Sequence, residues 1–569
     1  MPEENAQRIR CGLARVFLAT FLVLVARMAF VQLIIGEDLA ERCRDQRAVL
    51  LAEVPGRAPI YDRNMRVLAG EFASQAIVVF PESVEARETV ARMVAHFTGR
   101  SWRDVLPRLD SPTPIYVAAG AVPSIAWHAG GIDSATLDEA LRDPGVVVVE
   151  RPVRYHPDGI GAHVLGYLDP SGMRGVSGVE SLLDRYLSGG TPGGIAVFTD
   201  ARGRPLRGLG VRRLPGKPVG GGVRLTIDRD IQALVEDVMD DTIERGAVVV
   251  MDPRTGDVLA MASRPAFRPD NIASAMRDQA SPLLNRAIRA YPPGSIFKVV
   301  VAAAAIESGA ASLHETFYDP GYVDVGAARF RCYAHDEGGH GELDLLDAMA
   351  YSCNTAFITT GLRTGAKRLL DLAERLGLGA TTGVALPGEQ AGVIPDAQSM
   401  SPQDVANLAI GQGRLSVTPL QVAAMISTVA NGGFFRRPRL VMEIAPGSRR
   451  DGLAAGRDVE PAEPVRVLSE DTCRQVALML EAVTRWGTGT AAWVAEGGSA
   501  GKTGSAETAK ADGTGSPPSH AWFAGFAPLS EPRLVIVVLV EEGMSGGRAA
   551  APVFARIARR ALEVYPSSG

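Results

Sequence analysis

Cysteine is scarce in this chain: it has five, at positions 11, 43, 332, 353 and 473 of 569, too few and too scattered for a disulfide scaffold. Charge of one sign is scarce as well. Lysine and arginine number 59 against 64 aspartate and glutamate, a formal net charge of −5, which excludes a nucleic-acid binder by charge. Long apolar runs are confined to residues 13 to 36, LARVFLATFLVLVARMAFVQLIIG, the one segment able to cross a bilayer, which takes roughly 20 residues as a helix. Arg15 stands near its start and Arg27 inside it. A mid-membrane arginine is costly, so Arg27 must snorkel, mark a tilt or face a protein partner. No small-residue cleavage site follows the run, so a retained anchor is expected rather than a cleaved signal peptide. Arg8, Arg10 and Arg15 before the span and Arg42, Arg44 and Arg47 after it leave its orientation open. With 569 residues, 46% of them hydrophobic, the rest is globular and too long for one ordinary domain.

The stretch around which the chain is organised is Tyr291 to Val300, YPPGSIFKVV. Pro292, Pro293 and Gly294 make a turn, and the apolar IFKVVVAAAAIE that follows reads as a buried helix, with Ser295 at its N-terminus. Lys298 lies three residues on, over the same face. A serine beside an amine at the positive end of a helix combines a nucleophile, a base and a place for developing negative charge. Ser-x-x-Lys also arises by chance, as a helix cap and a solvated lysine. Here Phe297 and Val299 flank the lysine, and burial disfavours its charged form, which suits a general base.

Two further stretches shift the balance. Ser352-Cys353-Asn354 ends a predicted helix, LDLLDAMAY, and Lys502-Thr503-Gly504 stands ahead of a β-rich C-terminal region. Ser-x-x-Lys, Ser-x-Asn and Lys-Thr-Gly in this order resemble the signature of penicillin-binding proteins and serine β-lactamases. A phosphate-binding loop ending at Gly501-Lys502-Thr503 would need glycine at position 496, which is Glu496.

Ahead of the serine, residues 37 to 200 mix short β-like runs (75–80, 145–156) with helical stretches (84–97), an α+β module without a catalytic cluster of its own. Two boxes in it, PGRAPIYDRNMRVLA (55–69) and GVSGVESLLDRYL (175–187), resemble the N-terminal module of class B high-molecular-weight penicillin-binding proteins. Asp62, Arg63 and Glu180 within them read as an ion-paired domain junction. Residues 201 to 222, basic and rich in glycine and proline, read as a solvated connector. Next, AVVVMD and DVLAMAS flank Pro253-Arg254-Thr255-Gly256 as an antiparallel hairpin. Near the end, 520–528 and 532–542 read as strands beside Lys502-Thr503-Gly504, and PVFARIARRALEVY as an amphipathic helix covering the sheet.

Cys332, His335 and His340 suggest a zinc site, but a fourth ligand is not evident, so a structural loop and no metal are expected. In an oxidising compartment Cys332 and Cys353 are candidates to pair, beside the active site.

The resemblance to class B penicillin-binding proteins runs from about residue 13 to the end and implies an α+β architecture. Its parts are a cytoplasmic tail (1–12), a membrane anchor (13–36), a pedestal (37–200), a linker (201–222) and a transpeptidase domain (223–569) of antiparallel sheet flanked by helices. The implied activity is peptidoglycan D,D-transpeptidation through a serine acyl-enzyme, with no cofactor. Ser295 would be the nucleophile and Lys298 its base. Ser352 would relay a proton, and Asn354 would bond Lys298 and the substrate amide. Lys502 and Thr503 would hold the substrate carboxylate, Gly504 would let an extended substrate lie close, and the backbone N–H groups of Ser295 and Ser505 would form the oxyanion hole. Stem peptides are the implied substrates and β-lactams the inhibitors. The catalytic body would stand outside the cytoplasmic (inner) membrane with the N-terminus inside. Because no sugar-transferring domain precedes the transpeptidase part, a polytopic membrane glycosyltransferase is the implied partner, and Arg27 could face it. Position 353 departs from the pattern by carrying cysteine in place of aspartate. The alternatives are a membrane-anchored serine β-lactamase or β-lactam sensor, and a non-catalytic scaffold. Elongation, division and spore formation are not separated by these motifs.

Overall fold

The computed structural model describes residues 2–36, 39, 48–54, 56–111, 113–117, 132–191, 193–198, 211–214, 218, 220–445, 457–458, 460–507 and 519–565. They form two compact units interleaved along the chain. One comprises Met1–Val54, Ala73–Val153 and Pro192–Gly216, the other Pro55–Phe72, Arg154–Thr191 and Lys217–Gly569. The boxes around Asp62 and Glu180, read from sequence as part of residues 37–200, thus sit in the unit that carries the three motifs.

The first unit opens with a helix, Pro2–Leu33, of which Gly12–Leu33 is apolar, unburied and long enough to cross a membrane. Arg27 lies 5.4 Å over the ring of Phe30 in it. In the same unit the helix Arg87–Thr98 buries Val90, Met93 and Val94 against Ile77, Val79 and Val117. It stops at Gly99, whose φ of 66° lets its amide reach back to Ala95 O. Strands Ala48–Val54, Gly193–Phe198 and Val211–Leu214 pair as a three-stranded sheet. Residues 211–214, expected to be a solvated connector, are therefore a strand. Residues 201–210, 215–217 and 219 of that connector lie outside the described residues.

The second unit is built on five antiparallel strands: β1 (Gly246–Met251), β2 (Val258–Arg264), β3 (Ala500–Glu507), β4 (Ser519–Ala527) and β5 (Leu534–Val540), in the order β2-β1-β5-β4-β3. Alternation along these strands feeds two cores. Val248 and Val250 with Ile536 and Val538 face a layer that includes helices Arg229–Thr242 and Ala551–Val564, while Val249 and Met251 with Val535 and Val537 face helices from 298 to 485. Both faces being covered, the strands read as continuous apolar runs. The hairpin, the two C-terminal strands and the last helix agree with the sequence reading.

The box residues are ion-paired here. The carboxylate of Glu180, fully buried, accepts Arg57 Nε at 3.1 Å and Arg154 Nε at 2.5 Å. Asp62, also fully buried, accepts the amides of Asn64 and Arg66 at 2.8 Å each and the Arg66 guanidinium at 2.7 Å. Removing one partner from such a set leaves an uncompensated buried charge.

Candidate active site

The turn Pro292-Pro293-Gly294 runs into a 3-10 turn, Gly294–Phe297, and the α-helix α1 begins only at Lys298, running to Glu307. Ser295 therefore stands in a tight turn ahead of the helix, not at its first residue. Gly294 has φ of +53°, a left-handed step that interrupts helical propagation. Three neighbours fix this turn. Tyr291 and Val417 exchange backbone hydrogen bonds at 2.9 and 2.8 Å, the Gly294 amide donates to Gly411 O at 3.1 Å, and Trp522 Nε1 donates to Pro292 O at 3.1 Å. The Tyr291 hydroxyl donates to Glu541 at 2.8 Å, and Glu541 also accepts from Arg286 at 2.9 Å. Gly411 has φ of +70°, and a Cβ on it would lie 1.9 Å from Gly294 O. None of Gly411, Trp522 and Glu541 belongs to a motif; Gly411 lies in the glycine-containing stretch LAIGQG, residues 408–413.

Lys298, fully buried, brings the first two motifs together. Its Nζ donates to Ser352 O at 2.7 Å, Ser352 Oγ at 3.2 Å and Asn354 Oδ1 at 2.7 Å. Burial pushes it down to about 8, with Cys353 and Cys332 pulling the other way. The second motif turns between helices α2 (Leu345–Ala350) and α3 (Asn354–Thr364). Ser352 takes φ of +57° there, a left-handed conformation costing about 1–2 kcal/mol for a residue with a Cβ, and its carbonyl receives the lysine. Cys353 is the N-cap of α3, its Sγ accepting the Ala356 amide at 3.5 Å. That position asks for an N-cap acceptor, which aspartate also provides, and so accounts for the departure from the usual motif.

The third motif lies on β3, the edge of the sheet, paired on one side with β4 from Ala500↔Phe526 to Glu507↔Ser519. Lys502 is fully buried; burial first, then the Lys298 charge, push it well below the usual lysine range. Its Nζ donates to Thr503 O at 3.1 Å, and the Thr503 hydroxyl meets Thr488 Oγ1 at 2.7 Å. Ser505 is exposed, and its Oγ accepts the Gly546 amide at 3.4 Å. A Cβ on Gly504 would lie 2.9 Å from Ile296 Cγ1, and one on Gly294 2.6 Å from Ser505 O. Gly294 and Ser505 thus meet backbone to backbone, while the Ile296 side chain packs on Gly504.

Behind Asn354, Cys332 and Cys353 are both reduced and buried. Their mutual hydrogen bond raises Cys353 and, as the largest cause, lowers Cys332 to about 6. His335, weighed from sequence beside Cys332 and His340 as a metal candidate and set aside in favour of a loop, does not join them. Asp319, a strand end that carried no sequence signal, does.

The family described as penicillin binding protein transpeptidase domain matches residues 246–559, and that described as penicillin-binding protein dimerisation domain matches residues 52–220. The chain is 32% identical over 558 residues to stage V sporulation protein D of Bacillus subtilis, covering 95% of this chain and 83% of that one. It is 28% identical over 577 residues to the peptidoglycan D,D-transpeptidase FtsI of Escherichia coli, covering 96% and 90%. Among solved structures, penicillin binding protein 3 of Mycobacterium tuberculosis complexed with ampicillin superposes with a TM-score of 0.63 at 27% identity, over 91% of this chain and 98% of that one.

Proposed function

From the premise that this chain belongs to the class B penicillin-binding proteins, we propose a division of labour among its motif residues. The chain is a serine-type peptidoglycan D,D-transpeptidase that binds β-lactams and cross-links stem peptides, and its N-terminal helix anchors it in a membrane. Ser295 Oγ attacks the carbonyl between two terminal D-alanines and gives its proton to Lys298. The supporting observation is the triple bonding of Lys298 Nζ to Ser352 and Asn354, which aims a buried, easily neutralised amine within one turn of the serine.

Negative charge then develops on the carbonyl oxygen, where the backbone N–H groups of Ser295 and Ser505 receive it. The substrate lies along the free side of β3 as an added strand, with Gly504 beneath it and Lys502 and Thr503 on its terminal carboxylate. Asn354 also donates to the substrate amide. Ser352 passes the proton to the departing D-alanine. An amine from a neighbouring stem attacks the acyl-enzyme and releases Ser295. The body stands outside the cytoplasmic membrane, where peptidoglycan is, with the N-terminus inside. Lacking a sugar-transferring domain among its matched parts, the chain works beside a polytopic membrane glycosyltransferase.

The test is the time course of a fluorescent penicillin on the full chain in detergent, with Ser295→Ala in parallel. A label that forms on wild type alone and persists for minutes supports these roles. Labelling of Ser295→Ala would refute the nucleophile, and rapid formation and loss would indicate a β-lactamase.

A further inference from the structure

Four side chains from separate segments converge behind the second motif. Asp319 ends the strand Thr316–Asp319, Cys332 follows the strand Ala328–Arg331, His340 precedes the strand Gly341–Asp344, and Cys353 caps α3. Their donor atoms all lie within 4.8 Å of one another. His340 Nδ1 is 2.6 Å from Asp319 Oδ2 and 3.5 Å from Cys332 Sγ, and Cys353 Sγ is 3.3 Å from Asp319 Oδ2. Asp319 and Cys353 are fully buried. Among the described residues the ion pair made by this buried carboxylate is with His340, and no lysine or arginine pairs with it. A buried carboxylate, two thiols and an imidazole aimed at one point form a donor-rich cluster.

We propose that Asp319, Cys332, His340 and Cys353 are a four-coordinate site for a zinc-class divalent cation that pins the Ser352–Asn354 turn in place. Two thiols with one imidazole and one carboxylate suit zinc, and four protein ligands make a closed, structural site. Bonds of about 2.0–2.3 Å place tetrahedral donors roughly 3.3–3.8 Å apart, so the ion draws the outer donors in and opens the short Asp319–His340 contact. On binding, both thiol protons and any proton shared between Asp319 and His340 leave to solvent, and no oxidation state changes.

The surroundings fit ligands rather than bystanders. His340 Nε2 meets the Tyr333 hydroxyl at 3.2 Å, Asp319 Oδ1 accepts the Gly321 amide at 2.8 Å, and Cys332 Sγ accepts the Asn354 amide at 3.4 Å. Such outer contacts orient the ligands of a bound ion. Gly339, with φ of +84°, closes the loop over the cluster; a Cβ there would lie 2.2 Å from Gly321 N. A Cys332–Cys353 disulfide would use two of these four donor atoms and leave only the Asp319–His340 pair. Cys353 lies between the two residues that hold Lys298. The effect of the ion on acylation rests on the roles proposed for the motifs; the site itself does not.

The test strips the reduced full chain with a chelator, reloads it with Zn²⁺, Co²⁺ or Cd²⁺, and measures bound metal by mass spectrometry and thiolate-to-metal charge transfer by absorption. One ion per chain is expected, with the charge-transfer band present. Cys332→Ser and the milder His340→Gln should each lose the ion, and Tyr333→Phe should weaken binding by about tenfold to a hundredfold. Cys473→Ser and Ser295→Ala should bind as wild type does, the latter even though acylation is gone, which separates this site from the nucleophile assignment. Reduced wild type that takes up no ion, or equal uptake by Cys332→Ser and wild type, overturns the proposal. So does uptake without charge transfer.

Discussion

Replacing Gly411 by alanine should disable acylation while sparing the fold. The new Cβ would lie 1.9 Å from Gly294 O and 2.6 Å from Gly294 C. An ordinary carbon–oxygen contact is more than an ångström longer than the first of these, and both atoms are backbone, so one loop must move. The loop that moves carries Ser295, and a misplacement of about 1 Å is worth roughly a hundredfold in rate. The left-handed backbone at φ of +70° adds about 1–2 kcal/mol of strain, a shift of a few degrees in thermal midpoint. Gly432→Ala is the matched control, since Gly432 has φ of +78° with nothing within 4 Å of its added Cβ. It carries the same strain without the collision. The assay is the second-order rate of labelling by a fluorescent penicillin, read beside thermal denaturation. Gly411→Ala should lose about two orders of magnitude where Gly432→Ala loses almost none, both melting a few degrees low. If Gly411→Ala acylates at the wild-type rate, the contact between these backbones does not position the nucleophile.

Acylation should rise with pH through about 8, because burial lowers Lys298 to that value and only its neutral form accepts the serine proton; stopped-flow labelling across the range checks this, and a rate flat through that region contradicts lysine as base. Asn354→Ala removes an acceptor 2.7 Å from Lys298 Nζ; a hydrogen bond to a charged group is worth about 1.5–3 kcal/mol, so labelling should slow by about tenfold to a hundredfold. Glu180→Gln leaves the buried Arg154 without its counter-charge and Arg57 with Asp184 alone, a change worth about 3–5 kcal/mol. Urea denaturation should show that loss in the unit that carries the motifs.

The chemistry was legible in the sequence because it is carried by short motifs whose internal spacing is their geometry. Lys298, Ser352 and Asn354 meet as the motif order implied, and strands such as 534–540 announce themselves by unbroken apolar character. What was not legible depends on contacts between distant segments. Asp319 looks in sequence like any aspartate closing a strand, and only the pairing of Thr316–Asp319 with Gly341–Asp344 carries it to His340 and the cysteines. His335, a better candidate by spacing, falls on a 3-10 turn, His335–Glu337, outside the cluster. Residues 211–214 read as connector because charge and glycine dominate around them, yet pairing with residues 194–197 overrode that composition. The helix expected from Ser295 starts later because a left-handed glycine precedes it.

The place of β3 at the sheet edge has a consequence in time as well as space. Amides of β1 and β5 lie in the middle of the sheet, paired on both sides and covered on both faces, so their exchange with solvent deuterium tracks opening of the whole unit. On β3 the outward amides meet no strand among the described residues, and exchange there needs only a local event. On the proposed binding mode, a stem peptide or a penicillin laid along that edge supplies the absent partner. In that mode occupancy slows exchange along this edge strand, so the sheet is better protected while the serine carries an acyl group than before.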